Sequence, residues 1–202
     1  NLLTATAVRR GMIVTFSFAV LVRFYLFSVG GWPVLAIGLA SIASAIAYTG
    51  GPYPLGYHGL GDVFVFGFFG PVAVLGTVFV TSGVWSPLAA LASVPVGLLA
   101  TAVLVVNNVR DHETDLRAGK RTLVARFGRP FGVVEYALCW AVSLAACAAA
   151  AAWVRSPWPA LPWLMTPVGA SLSRTVKTVS GRALNETLGA TAKVATIYYD
   201  GL

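Results

Sequence analysis

The chain of 202 residues is 57% hydrophobic and only 10% charged, against roughly 25% charged in soluble globular domains, and its mean hydropathy is +0.79. This excludes an ordinary water-soluble domain. With roughly 20 apolar residues needed per spanning helix, the length fits about six or seven spans in a single membrane domain covering 1–202. The formal net charge of +7 is read as membrane topology and not as a nucleic-acid surface, because Lys and Arg collect in alternate connections.

The chain opens Asn1-Leu2-Leu3 with no initiator Met and no signal-peptide pattern, and reads as an excerpt of a longer protein. Gly and Pro punctuation places helices at about 11–29, 33–48, 63–82, 87–107, 131–154, 159–173 and 184–199. One set of connections, 1–10, 49–62, 108–130 and 174–183, holds Arg9, Arg10, Arg110, Arg117, Lys120, Arg121, Arg126, Arg129, Arg174, Lys177 and Arg182; the other set, 30–32, 83–86 and 155–158, holds only Arg155. The positive-inside rule makes the first set cytoplasmic. Arg23 interrupts an apolar run, where an ionised side chain is costly and faces a cavity, a partner or the interface. Cys139 and Cys147 lie too far apart along one run to pair and read as small lipid-face or packing residues. The last segment is the least apolar, with Glu186, Lys193 and Asp200.

The most informative polar stretch runs from Asn107 through Thr122. If the helix before it continues, Asn107, Asp111 and Asp115 fall at i, i+4 and i+8, with Asn108 three residues before Asp111, so amide and carboxylate oxygens share one face. Two carboxylates and an amide suit Mg²⁺, which keeps several waters and takes substrate phosphate oxygens. Arg110, Arg117, Lys120 and Arg121 stand around them as cations for a diphosphate. The competing reading is a solvated loop of ion pairs worth about 0–1 kcal/mol each.

A second candidate is Tyr48 to Asp62, whose five glycines and two prolines forbid a regular helix. Irregular backbone at membrane depth is tolerated where it is buried in protein or lines a wet cavity. Tyr48, Tyr53 and Tyr57 offer hydroxyls and π faces, and His58 and Asp62 offer titratable groups. An interfacial turn rich in aromatics is the plainer alternative.

The run Tyr48-Thr49-Gly50-Gly51-Pro52 ending in Gly59-Leu60-Gly61-Asp62, then Phe69-Gly70-Pro71, resembles the naphthoate prenyltransferase branch of the UbiA superfamily. Asn107-Asn108-Val109-Arg110-Asp111 through Asp115, then Ala118-Gly119-Lys120-Arg121-Thr122-Leu123, resembles that branch's second aspartate-rich motif. The resemblance implies an all-α polytopic bundle, about seven of nine transmembrane helices present, with two N-terminal helices and the first aspartate-rich motif lying before Asn1. It implies transfer of a polyprenyl group from polyprenyl diphosphate to 1,4-dihydroxy-2-naphthoate, in a bacterial inner membrane with the site facing the cytoplasm and a lateral opening to the lipid bilayer. Another aromatic acceptor, 4-hydroxybenzoate or homogentisate, is the nearest alternative; a transporter is a more distant one. By position, Asp111 and Asp115 would hold Mg²⁺, and Asn107 or Asn108 would support the metal-diphosphate complex. Arg110, Lys120 and Arg121 would face diphosphate. Tyr48 would lie near the donor's allylic end, its π face able to stabilise positive charge. Asp62 and His58 would orient the acceptor or take its proton. Relatives often carry a basic residue in the glycine-rich loop; here Tyr53 and His58 stand nearest to it.

Overall fold

The computed structural model describes residues 4–50 and 54–200; the Asn1-Leu2-Leu3 start and Tyr53 lie outside them. Helices and the turns between them make up the described residues, with no strand among them: α1 (Ala5–Thr49), α2 (Gly61–Gly67), α3 (Ala73–Ser82), α4 (Pro87–Arg110), α5 (His112–Arg117), α6 (Leu123–Phe127), α7 (Arg129–Val154), α8 (Thr166–Thr178) and α9 (Leu184–Asp200). Four stretches, Ala5–Tyr48, Gly61–Ser82, Pro87–Arg110 and Arg129–Val154, are long and apolar enough to cross a membrane.

Helix α1 is two expected spans joined by a reversal. Gly31 adopts φ 65°, ψ −154°, outside helical space, a backbone state that suits glycine because it lacks a Cβ. The Arg23 guanidinium donates to the Leu35 carbonyl. In a straight helix those residues would stand about 18 Å apart along the axis, so the chain folds back at Gly31 into an antiparallel hairpin. Pro71 has no N–H to donate, and the backbone widens there into a π turn at Phe68–Val72 between α2 and α3. Left-handed Gly83 ends α3. Ser86 then caps α4, its hydroxyl accepting from the Ala89 N–H at 3.2 Å, with Pro87 in the first turn.

Three expectations are corrected. The helix expected at 159–173 is a 3-10 segment at Trp158–Met165 followed by α8, since Pro159 and Pro162 remove α-type donors. The connection expected at 108–130 contains two short helices, α5 and α6. The helix expected to end near 107 runs on to Arg110, and the continuation on which the i, i+4, i+8 face depended is interrupted at Asp111 (φ −95°, ψ 7°). The hydrogen-bond ladder nevertheless crosses the break: Asp111 N–H donates to the Asn107 carbonyl at 3.0 Å, and Asp115 N–H to the Asp111 carbonyl at 2.8 Å.

Helix α4 is the axis of the bundle. Its Leu99, Ala102, Val105, Val106 and Val109 pack with Tyr136, Cys139, Trp140 and Cys147 of α7, Val176 of α8, and Val194 and Ala195 of α9. Both cysteines are buried, on the packing side of the two expected roles. On α4's other side the backbones meet. A Cβ on Gly97 would lie 2.7 Å from the Phe66 carbonyl oxygen and 3.1 Å from the Gly70 Cα. This contact sets the antiparallel register that brings the start of α2 beside the end of α4. Trp32, Trp85 and Trp158, all 52% or more exposed, stand at the turns of the opposite end, as an interfacial aromatic belt does.

Candidate active site

A cavity of about 290 Å³ lies at the end of the bundle where α1, α2 and α4 meet, lined by Tyr48, Tyr57, Asp62, Leu104, Asn107, Asn108, Lys120 and Thr122 together with Gly56, Gly59 and Gly61. Two segments more than forty residues apart in sequence form it. Tyr48 comes from the end of α1, Asp62 from the first turn of α2, the two asparagines from the last turn of α4, and Lys120 from the connection after α5.

The loop between α1 and α2 is docked on the connection between α5 and α6. Arg121 N–H donates to the Tyr57 carbonyl at 2.8 Å. The Arg126 guanidinium donates through Nη2 to the His58 carbonyl at 2.7 Å and through Nε to the Arg121 carbonyl at 3.1 Å. Gly59 has φ 77°, and a Cβ there would stand 2.9 Å from the Arg121 carbonyl oxygen, so both the conformation and the approach require glycine. The Lys120 ammonium sits 5.6 Å from the centre of the Tyr57 ring and 3.4 Å from Asp115 Oδ1.

The charged residues divide into those facing the cavity and those behind it. Asp62 is 5% exposed, and its Oδ1 has no hydrogen-bond partner. Asp115 Oδ2 is likewise buried and unpartnered. Asp111 has both oxygens engaged by Arg110, at 2.8 Å from Nε and 2.6 Å from Nη2. Arg110 also donates to Asn107 Oδ1 at 2.7 Å and to Asn185 Oδ1 of α9 at 2.9 Å. That guanidinium beside Asp111 holds its carboxyl below the usual 3.8. Neither Asp111 nor Asp115 lines the cavity, and neither do Arg110, Arg121 or His58. The Arg121 side chain points to solvent, and His58 Nδ1 lies 2.8 Å from the Pro54 carbonyl oxygen.

Among the described residues no three His, Cys, Asp or Glu side chains cluster closely enough to hold a metal ion by themselves. The donor set fits the sparser requirement of Mg²⁺, one or two carboxylates completed by water and phosphate oxygens. The unpartnered, buried Asp115 Oδ2 is the oxygen with a vacant acceptor position.

Sequence reasoning passed over three residues here. Thr122 lines the cavity and caps α6, accepting from the Ala125 N–H at 3.1 Å; a threonine immediately before the apolar Leu123-Val124-Ala125 is the available cap signal. In the sequence Arg126 marks only topology. Glu135 of α7 shares with Asp62 a second, largely apolar cavity of about 420 Å³, and its Oε2 is buried without a partner. A lone carboxylate inside an apolar run was the available signal.

A membrane bundle with a polar cavity of two asparagines, an aspartate and a lysine at one end defines a class, and the comparisons name it: residues 2–187 match the UbiA prenyltransferase family, to which this chain belongs. Among its relatives, the 1,4-dihydroxy-2-naphthoate octaprenyltransferase of Bacillus subtilis is 30% identical over 180 residues, 86% of this chain and 54% of the relative. The enzyme of that name from Mycobacterium tuberculosis is 47% identical over 95 residues, 47% of this chain and 32% of the relative. The UbiA prenyltransferase domain-containing protein 1 of Gallus gallus is 38% identical over 134 residues, 66% of this chain and 39% of the relative. The chain thus spans from about a third to about half the length of these curated relatives.

Proposed function

We propose that this chain carries the site at which a polyprenyl group passes from polyprenyl diphosphate to 1,4-dihydroxy-2-naphthoate, in a bacterial plasma membrane with the cavity on the cytoplasmic side. The observation that carries this reading is the convergence of the Tyr48–Asp62 and Asn107–Thr122 segments on one polar cavity. The names of the bacterial relatives favour the naphthoate acceptor, and the basic connections at the cavity end favour the cytoplasmic side.

In this reading the donor's allylic C–O bond breaks and its electron pair leaves with diphosphate. The ring carbon bearing the acceptor's carboxylate attacks the allylic carbon, and CO₂ departs from that ring carbon as the new C–C bond forms. This gives demethylmenaquinone in its quinol form. Asn107, Asn108 and Lys120 hold the diphosphate by donated hydrogen bonds and charge. Asp111 and Asp115 would hold Mg²⁺, which when bound supplies neutralisation of the leaving diphosphate. Arg110 pre-positions Asp111 and Asn107 together. The Tyr48 ring faces the allylic carbon and stabilises developing positive charge there. Asp62 Oδ1 takes the proton of an acceptor hydroxyl, raising the ring's nucleophilicity, and returns it to that oxygen once CO₂ has left.

The test uses the full-length protein in membranes with radiolabelled polyprenyl diphosphate. Naphthoate, 4-hydroxybenzoate and homogentisate compete as acceptors, and product mass is read. Asp115→Asn should lower turnover about 10²–10³-fold, the usual effect of losing a group that stabilises transition-state charge. Near wild-type turnover at saturating Mg²⁺ removes Asp115 from the site, and preferential labelling of another acceptor reassigns the substrate.

A further inference from the structure

At the end of the membrane region away from the polar cavity, the structure assigns Arg23 to a second site: the phosphodiester of a phospholipid binds its guanidinium, and an acyl chain lies along the adjoining apolar wall. Arg23 is 8% exposed. Its Nη2 donates to the Leu35 carbonyl, but its Nη1 is buried with no partner. A guanidinium in apolar surroundings is costly unless its N–H groups are met. Here a carbonyl meets only part of the demand.

The unmet nitrogen belongs to a built space. Arg23 lines a cavity of about 610 Å³ between the two limbs of α1 and the Val72–Thr81 stretch, a volume within the roughly 300–1,000 Å³ of small-molecule sites. Gly38 lines the same cavity, and a Cβ there would lie 2.8 Å from Nη1; glycine at 38 is what leaves the guanidinium its room. Among the described residues no carboxylate lines this cavity, and the anionic phosphodiester supplies the charge complement that they do not. The walls, including Phe18, Leu26, Val34 and Val80, are apolar and suit hydrocarbon.

Depth favours a lipid. Arg23 lies eight residues before the Gly31 reversal, about 12 Å along the helix, while Leu35, which its guanidinium reaches, lies four residues beyond it, about 6 Å from the turn. The side chain therefore rises toward the end where Trp32 and Trp85 mark the interface, the level of phospholipid phosphates. The diphosphate cavity, by contrast, opens at the other end of α1, beside Tyr48.

The experiment measures lipid retention by native mass spectrometry on the delipidated full-length protein in detergent. Phosphatidylglycerol is the probe, and diacylglycerol with the same chains is the phosphate-free control. Wild type should bind phosphatidylglycerol and not diacylglycerol. Arg23→Gln should weaken that binding at least about tenfold, the scale of one lost charge-assisted hydrogen bond. Arg23→Lys should bind in between. Gly38→Ala keeps the charge but displaces Nη1 and should weaken binding too, which keeps the test decisive if Arg23→Gln elutes as aggregate. Equal binding of the two lipids by wild type overturns the proposal, because Arg23 would then be satisfied within the protein. Wild-type retention in both Gly38→Ala and an Arg23 variant also overturns it. Displacement by polyprenyl diphosphate would assign the site to the donor instead and equally overturn it.

Discussion

Arg126 offers the sharpest test of how the glycine-rich loop is held over the polar cavity. Its guanidinium ties the His58 carbonyl to the Arg121 carbonyl, at 2.7 and 3.1 Å, and it does not line the polar cavity itself. Hydrogen bonds to charged groups contribute about 1.5–3 kcal/mol each when shielded. Arg126 is exposed, so about 0.5–1 kcal/mol each, or about 1–2 kcal/mol together, is the appropriate scale. Arg126→Ala should therefore lower the ratio of docked to undocked loop about five- to thirtyfold. Apparent donor affinity falls with the docked fraction, so KM for polyprenyl diphosphate should rise about three- to tenfold while kcat at saturating donor stays within about twofold. Arg126→Lys, which can keep one of the two contacts, should fall between. Steady-state kinetics in membranes of the full-length protein, with donor varied at fixed acceptor, reads both parameters. A fall in kcat with KM unchanged would refute the latch, since it would place Arg126 in the chemical step.

Two further outcomes follow from geometry. Gly97→Val puts side-chain carbon within 2.7 Å of the Phe66 carbonyl oxygen, and no rotamer change relieves a backbone clash. A loss of about 1–3 kcal/mol is expected, read as lower thermal stability in detergent; Gly76→Val, where a Cβ meets nothing within 4 Å, is the control. The acid limb comes from Asp111. Its folded value is lowered by Arg110, so its pairing stabilises the fold above the unfolded value of 3.8 and is lost as pH falls through the lower folded value. Arg110→Gln should move the Asp111 titration upward toward 3.8, followed by carboxyl ¹³C chemical shift; an unmoved midpoint would mean that Arg110 is not its partner in solution.

Much of the architecture was legible in the sequence because hydrocarbon is a demanding solvent. Apolar runs of spanning length must be helices, since no water satisfies their backbone. Gly and Pro announced their ends. The two polar segments were equally legible, because carboxylates, amides and glycines in so apolar a chain have few structural reasons to be there. What spacing could not supply was the pairing of groups across the fold. Asp111 and Asp115 look equivalent at i and i+4, yet Arg110 occupies both oxygens of the first while the second keeps a buried oxygen open. The Pro-rich stretch after α7 read as an α-helix because apolarity does not report a missing N–H. Arg126 counted only as a positive charge until the docked loop gave it two carbonyls to hold, and Arg23 stayed unassigned until the reversal at Gly31 set Leu35 and Gly38 against it. Local chemistry determines which segments are helical and which are polar. Which polar atoms meet depends on helix register, set here by the Gly70–Gly97 backbone contact, and that exists only once the helices have packed.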